Sequence, residues 1–184
     1  MLTKVLAAEL GPYGITVNAF GPNIMKTPMM NKIFEMRANE AGITVEEYDD
    51  YVTVYRNRDA LNRINLKTLP YPGFPTDMQP QIATVLTIAD GKSVITESIW
   101  DNRFKYAEQL TKLGAFIKAE GKVAEVYGVE GLTGNTVKAN DLRAGAAMVI
   151  AGLIANGQTI IEDIHHIQRG YEKIVEKLSN GGAD

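Results

Sequence analysis

Apolar residues return at helical spacing over residues 2–10, where Leu2, Val5, Leu6 and Leu10 share one side and Gly11 with Pro12 end the run. "ITVNAF", 15–20, is short and β-branched and predicts a buried strand. Two polar helices are predicted next, one around 28–41 and one from Thr44, whose Glu47 completes a capping-box spacing. The texture changes near Arg63–Lys67, where a boundary is placed. Pro70, Pro72 and Pro75 then predict a stiff, extended segment from Leu69 to Pro75, because proline fixes φ and disfavours helix in the residue before it. Behind it Ile82, Val85, Leu86 and Ala89 form a helical stripe, and Thr76 with Gln79 has the form of a capping box, so a helix is predicted over 77–89. Beyond it the pattern predicts strand 93–99, helix 104–113, and two strands in "AFIKAEGKVAEVYGV" joined at Glu120-Gly121. Helix 141–155, strand 158–164 and helix 169–178 complete the chain. Strands alternating with helices around a hairpin imply an α/β (α+β layered) fold with antiparallel pairs, not a purely parallel sheet.

Composition narrows the partners. The chain has 184 residues, 45% hydrophobic and 22% charged, which suits one sizeable core or two small ones. The net charge of −3 comes from an even mixture of signs in both halves, so no basic face for nucleic acid is implied. With no cysteine, disulfides, thiolate metal sites and a cysteine nucleophile are excluded within this chain. His165 and His166 are adjacent, and neighbours on a strand point to opposite faces, so no metal site is expected. The most apolar stretch, Leu142 to Gly157, is too short for a bilayer and carries Arg143, so it predicts a buried helix and no membrane partner. "MLTKVLAAELGPYG" lacks the pattern of a signal peptide, and a cytoplasmic location is expected.

Candidate chemistry lies at the element ends. Asp77 falls in a predicted first helical turn, where a carboxylate is favoured by the helix dipole; it is either a good N-terminal residue or a base held at a rigid loop-to-helix junction. Arg103 follows strand 93–99, Arg143 lies in the first turn of helix 141–155, and Arg169 lies between strand 158–164 and the next helix. A cation in a first turn opposes the dipole at about 0.3–1 kcal/mol, and Asp141 is too near in sequence to pair well with Arg143 on a helix. Each arginine is either structural or solvated, or part of a cleft for a phosphate or carboxylate.

Three stretches carry a resemblance: "LKTLPYPGFPTDMQPQ", "SVITESIWDNRFKYAEQLTKLGA" and "VYGVEGLTGNTVKANDLRAGAAMVIAGLIANGQTIIEDIHHIQRGYEKIVEKL". From about Leu66 to Ala183 the chain resembles the C-terminal part of bacterial UDP-N-acetylglucosamine 1-carboxyvinyltransferases, the enolpyruvyl transferases of peptidoglycan synthesis. The resemblance implies a partial inside-out lobe built from βαβαββ units, and binding of UDP-N-acetylglucosamine and phosphoenolpyruvate without a further cofactor. It implies Asp77 as the base for the attacking sugar hydroxyl, Asp141 as a second acid, and Thr76 and Ile99 as UDP-sugar contacts. It places Arg103 and Arg143 on the enolpyruvyl carboxylate and Arg169 on the phosphate. The family's usual His-Ile-Asp-Arg-Gly-Tyr reads "HIQRGY" here, with Gln168 in place of the acid.

A second resemblance covers the front. "LTKVLAAELGPYGITVNAFGPNIMKTPM" and "RDALNRI" resemble short-chain dehydrogenases, with helix, strand and loop in that order, and Ile24 and Thr27 match positions that contact a nicotinamide cofactor. Asn23 stands where that family has glycine. The chain is therefore expected to divide into a dehydrogenase-like fragment, 1–64, and an enolpyruvyl-transferase-like fragment, 65–184. The first shows no Gly-rich dinucleotide loop, and the second lacks the other lobe with its cysteine, lysine and arginine. These readings predict a composite chain, catalytically inactive by itself, whose partial lobe favours self-association. By homology the function is that of an enolpyruvyl-transferase fragment, active only if complemented; a non-catalytic UDP-sugar-binding module or a chimeric structural protein is the alternative, and an NAD(P)-dependent short-chain oxidoreductase the weakest.

Overall fold

The β-branched runs "ITVEE" and "VTVYR" alternate with period two, and they form a two-stranded antiparallel hairpin, β1 (Ile43–Glu47) with β2 (Val52–Arg56), in register from Ile43↔Arg56 to Glu47↔Val52. The helix predicted from Thr44 is therefore a strand: the Thr44–Glu47 spacing imitates a capping box, but the β-branched alternation prevails. The structure, a computed structural model, describes residues 43–47, 52–56, 61–71 and 73–180. The predicted elements at 2–10, 15–20 and 28–41, together with Asn23, Ile24, Thr27 and Pro72, lie outside the described residues. The chain divides into two compact units, Met1–Ala60 and Leu61–Asp184.

The second unit opens with β3 (Asn65–Lys67), a 3₁₀ turn (Thr76–Met78), α1 (Gln79–Leu86), β4 (Lys92–Thr96), α2 (Tyr106–Lys112), β5 (Phe116–Glu120) and β6 (Val123–Tyr127). This is one βαβαββ unit. Its sheet has the order β3-β4-β6-β5, with β3 parallel to β4 and the other neighbours antiparallel. The β5–β6 loop is two residues, with Gly121 at φ +55° in its first position, the conformation a type II′ hairpin turn requires and a Cβ disfavours. After it come β7 (Leu132–Thr133), β8 (Thr136–Lys138), α3 (Leu142–Ile154), β9 (Ala155–Asn156) and β10 (Ile160–Glu162), and β9 and β10 pair in parallel with β7 and β8. A single turn α4 (His165–Gln168) and α5 (Ile174–Asn180) close the described chain.

The core forms where α1 and α3 meet the sheet, around Leu66, Ile82, Ile95, Leu110, Val126 and Met148. Every residue of α1 is buried, so it has no solvated face, and the small residues Ala144, Ala147 and Ala151 of α3 line the same core. Gly145 of α3 is required by close approach, since a Cβ there would stand 2.5 Å from Ile167 Cγ1.

Several predicted boundaries move. The proline segment does not run extended: it folds back, with Gly73 N–H bonded to the Pro70 carbonyl at 2.8 Å and Leu69 N–H to that of Phe74 at 2.9 Å. The capping box at Thr76 does not form, because the Thr76 hydroxyl donates to Glu97 at 2.8 Å and Gln79 is fully buried. Pro80 stands at the start of α1, where its missing N–H costs no helical bond. The predicted helix 169–178 starts later, as α5 from Ile174; residues 169–173 form turns in which Lys173 has φ +50°, and the unpredicted turn α4 precedes them. His165 and His166 lie on that helical turn, not on a strand, and their ring centroids are 4.0 Å apart. Among the described residues no helix is long and apolar enough to cross a membrane.

Candidate functional site: a carboxylate between two guanidinium groups

Three segments meet at Asp77. The 3₁₀ turn carries Asp77 itself, behind Pro75 in the extended region at φ −72°, ψ 136°. The loop between β4 and α2 carries Arg103, next to Asn102 at φ +55°, a left-handed conformation that asparagine tolerates better than most residues. The first turn of α3 carries Arg143. Arg103 Nη2 donates to Asp77 Oδ1 at 2.8 Å and Arg143 Nε to the same oxygen at 2.6 Å. Both bonds are charge-assisted. Among the described residues Oδ2 of Asp77 accepts no hydrogen bond, and the side chain is 60% exposed, so this oxygen faces solvent.

This geometry resolves the question of Arg143. Its local neighbour Asp141 does not pair with the guanidinium; Asp141 is the N-cap of α3, and its Oδ1 accepts the N–H groups of Arg143 at 2.7 Å and Ala144 at 2.9 Å. The guanidinium reaches Asp77, 66 residues upstream. The hydrogen bond from Arg143 holds the Asp77 carboxyl below the ordinary aspartate range, against partial burial, and the charges of Arg143 and Arg103 reinforce it. In return, the Asp77 carboxylate raises the Arg143 guanidinium above its ordinary value.

Two further residues border the cluster that sequence reasoning missed. Tyr171 is half-buried, and burial raises its hydroxyl while the Gln81 amide and the Arg143 charge work the other way. Gln81 is a polar residue inside a predicted apolar helix, and that misfit was its only signal. Of the other predicted site residues, Thr76 directs its hydroxyl to Glu97, and Ile99 is exposed beside Trp100. Arg169 caps α4, is exposed, and enters none of the ion pairs among the described residues, so the structure joins Asp77, Arg103 and Arg143 but not Arg169. Among the described residues no group of three histidine or acidic side chains is placed to hold a metal ion.

Comparisons with known proteins agree with this architecture. The chain is 49% identical over 179 residues to UDP-N-acetylglucosamine 1-carboxyvinyltransferase 3 of Caldanaerobacter subterraneus subsp. tengcongensis, covering 96% of this chain and 43% of that one. It is 48% identical over 178 residues to UDP-N-acetylglucosamine 1-carboxyvinyltransferase of Clostridium botulinum, covering 95% of this chain and 42% of that one. The crystal structure of the enolpyruvyl transferase NikO from Streptomyces tendae matches with a TM-score of 0.80 at 28% identity, over 98% of this chain and 43% of that one. The chain thus spans less than half the length of these relatives. The similarity runs through the segment that resembles a dehydrogenase, so a dehydrogenase-type front, and with it a nicotinamide role for Ile24 and Thr27, finds no support. The profile of EPSP synthase (3-phosphoshikimate 1-carboxyvinyltransferase) matches residues 3–178, and the chain belongs to that family.

Proposed function

We propose that the Leu61–Asp184 unit supplies the Asp77 side of a site that transfers the enolpyruvyl group of phosphoenolpyruvate to the 3-hydroxyl of UDP-N-acetylglucosamine. The observation that carries this reading is the shared oxygen: two guanidinium groups grip Asp77 Oδ1, while Oδ2 faces solvent. An open carboxylate oxygen is placed to take the proton of a bound hydroxyl, and two cations beside it suit an anionic co-substrate. In this reading Arg103 and Arg143 hold the phosphoenolpyruvate carboxylate and Arg169 its phosphate. Thr76 and Ile99 border the sugar nucleotide, and Asp141 is the second acid.

Chemistry gives the two arginines a second consequence. A carboxylate paired with guanidinium groups is a weak base, so Asp77 in the resting pair is poorly suited to accept a proton. An anion that draws the arginines onto itself restores its basicity, so the base becomes strong only when the co-substrate is bound.

Titration with UDP-N-acetylglucosamine, followed by the fluorescence of Trp100, tests the reading. Trp100 is the one tryptophan, is 58% exposed and adjoins Ile99. A saturable change is expected, weakened by Asp77→Asn; no response at millimolar ligand would remove the reading. Phosphate release from phosphoenolpyruvate that depends on Asp77 would extend it from binding to turnover.

A further inference from the structure

Glu97 touches the segments that carry Asp77 and Arg103 without belonging to the cluster itself. It follows β4, is 1% exposed, and lies on the inward side of the strand alternation with Ser93 and Ile95. Its Oε1 accepts the Thr68 hydroxyl at 2.8 Å and the N–H groups of Ile99 and Trp100 at 2.8 and 3.1 Å. Its Oε2 accepts the Thr76 hydroxyl at 2.8 Å. Thr68 is locked in turn, since its hydroxyl accepts the N–H of Ser98 at 2.9 Å and its carbonyl accepts the Ser98 hydroxyl.

A buried carboxylate is costly unless its lone pairs are filled, and here four donors fill them. Burial alone would push the Glu97 carboxyl up; the bonds from Ile99, Thr68, Thr76 and Trp100 prevail and hold it below the ordinary glutamate range. Among the described residues Tyr106 faces it, its hydroxyl pushed far up by burial and by the Glu97 charge with Arg103 opposing, and on the same loop Asp101 pairs with Lys122 at 3.0 Å. An apolar side chain of similar volume could pack in the same space. Only an acceptor with several directed bonds also dictates how the adjoining segments are oriented.

Those segments are the ones that matter. Thr76 immediately precedes Asp77, and Ile99 and Trp100 lie in the same β4–α2 loop as Arg103. We propose that Glu97 is a positioning residue, which ties the turn bearing Asp77 to the loop bearing Arg103 so that the two side chains meet. Its part in enolpyruvyl transfer rests on the function proposed above, whereas the positioning itself concerns the ligand-free protein.

The test is the titration of the Asp77 carboxyl in the ligand-free chain, followed by carbon NMR, with Asp77→Asn to assign the signal. The charged and titratable groups that face Asp77 are Arg103, Arg143 and Tyr171. Glu97→Gln, which keeps the shape but turns an acceptor into a donor, should move the Asp77 midpoint upward, in the direction of Arg103→Gln. Thr76→Val should move it likewise, and Thr76→Ser, which keeps the hydroxyl, should leave it at the wild-type value. A lower melting temperature with an unchanged Asp77 midpoint in Glu97→Gln and Thr76→Val would show a merely structural role and overturn the proposal, as would equal shifts in Thr76→Val and Thr76→Ser. If Glu97→Gln does not fold, the two Thr76 variants decide alone. Failure of wild-type UDP-sugar binding would remove the function proposed above and leave this ligand-free comparison intact.

Discussion

Arg143 occupies a place where the helix dipole disfavours a cation, and the charge of Asp77 compensates. Because the Asp77 pKa is depressed on folding, its pairs stabilise the folded state above the unfolded aspartate value of ~3.9 and cease to do so as pH falls through the lower folded value. Asp77→Asn should therefore lower the melting temperature at pH 7, and the difference from wild type should begin to shrink below about pH 4 and vanish once the pH is under the lower folded value. With the Asp77 side chain 60% exposed, the difference should be small and should shrink in high salt. At this scale the misplaced first-turn cation was visible in the sequence, and its partner was not. A spacing of 66 residues carries no local signal, so only folding could show that two arginines share one oxygen. Glu97 left a fainter trace, a charge on the inward side of a strand alternation.

Elements were legible wherever local chemistry and tertiary packing agree. The β5–β6 hairpin was readable from Glu120-Gly121 because a two-residue loop needs glycine at the positive φ, and α3 was readable from its unbroken apolar run. Misreadings occurred where one local pattern imitated another. Thr44–Glu47 and Thr76–Gln79 both have capping-box spacing, yet the first lies in a strand and the second gives its hydroxyl to Glu97. The α3 glycine offers a test of packing at this scale. Gly145→Ala would bring a Cβ to 2.5 Å from Ile167 Cγ1 and 3.2 Å from Ala139 Cβ. Overpacking of this kind costs about 1–3 kcal/mol, against a helix-propensity gain of about 1 kcal/mol. A net loss is expected, read as a lower denaturant midpoint with unchanged slope.

Over the whole molecule, the buried cluster from Leu66 to Ala151 lies within the Leu61–Asp184 unit. Residues 61–184 expressed alone should therefore unfold in one cooperative transition and protect the amides of β4 and β6; a broad, non-cooperative melt would show that the unit depends on residues outside it. Ile95→Ala, at a fully buried position, should cost about 2–5 kcal/mol in either chain. By itself, the sequence determined the alternation of strands and helices, the hairpin and the placement of acids and arginines at element ends, because periodicity and turn chemistry act over a few residues. The tertiary structure alone decided that Asp77, Arg103 and Arg143 converge, that Arg169 enters no ion pair among the described residues, and that Glu97 accepts hydrogen bonds from Thr68, Thr76, Ile99 and Trp100. Most of those contacts join residues tens of positions apart, and their geometry follows from how the α1–α3 core and the sheet pack.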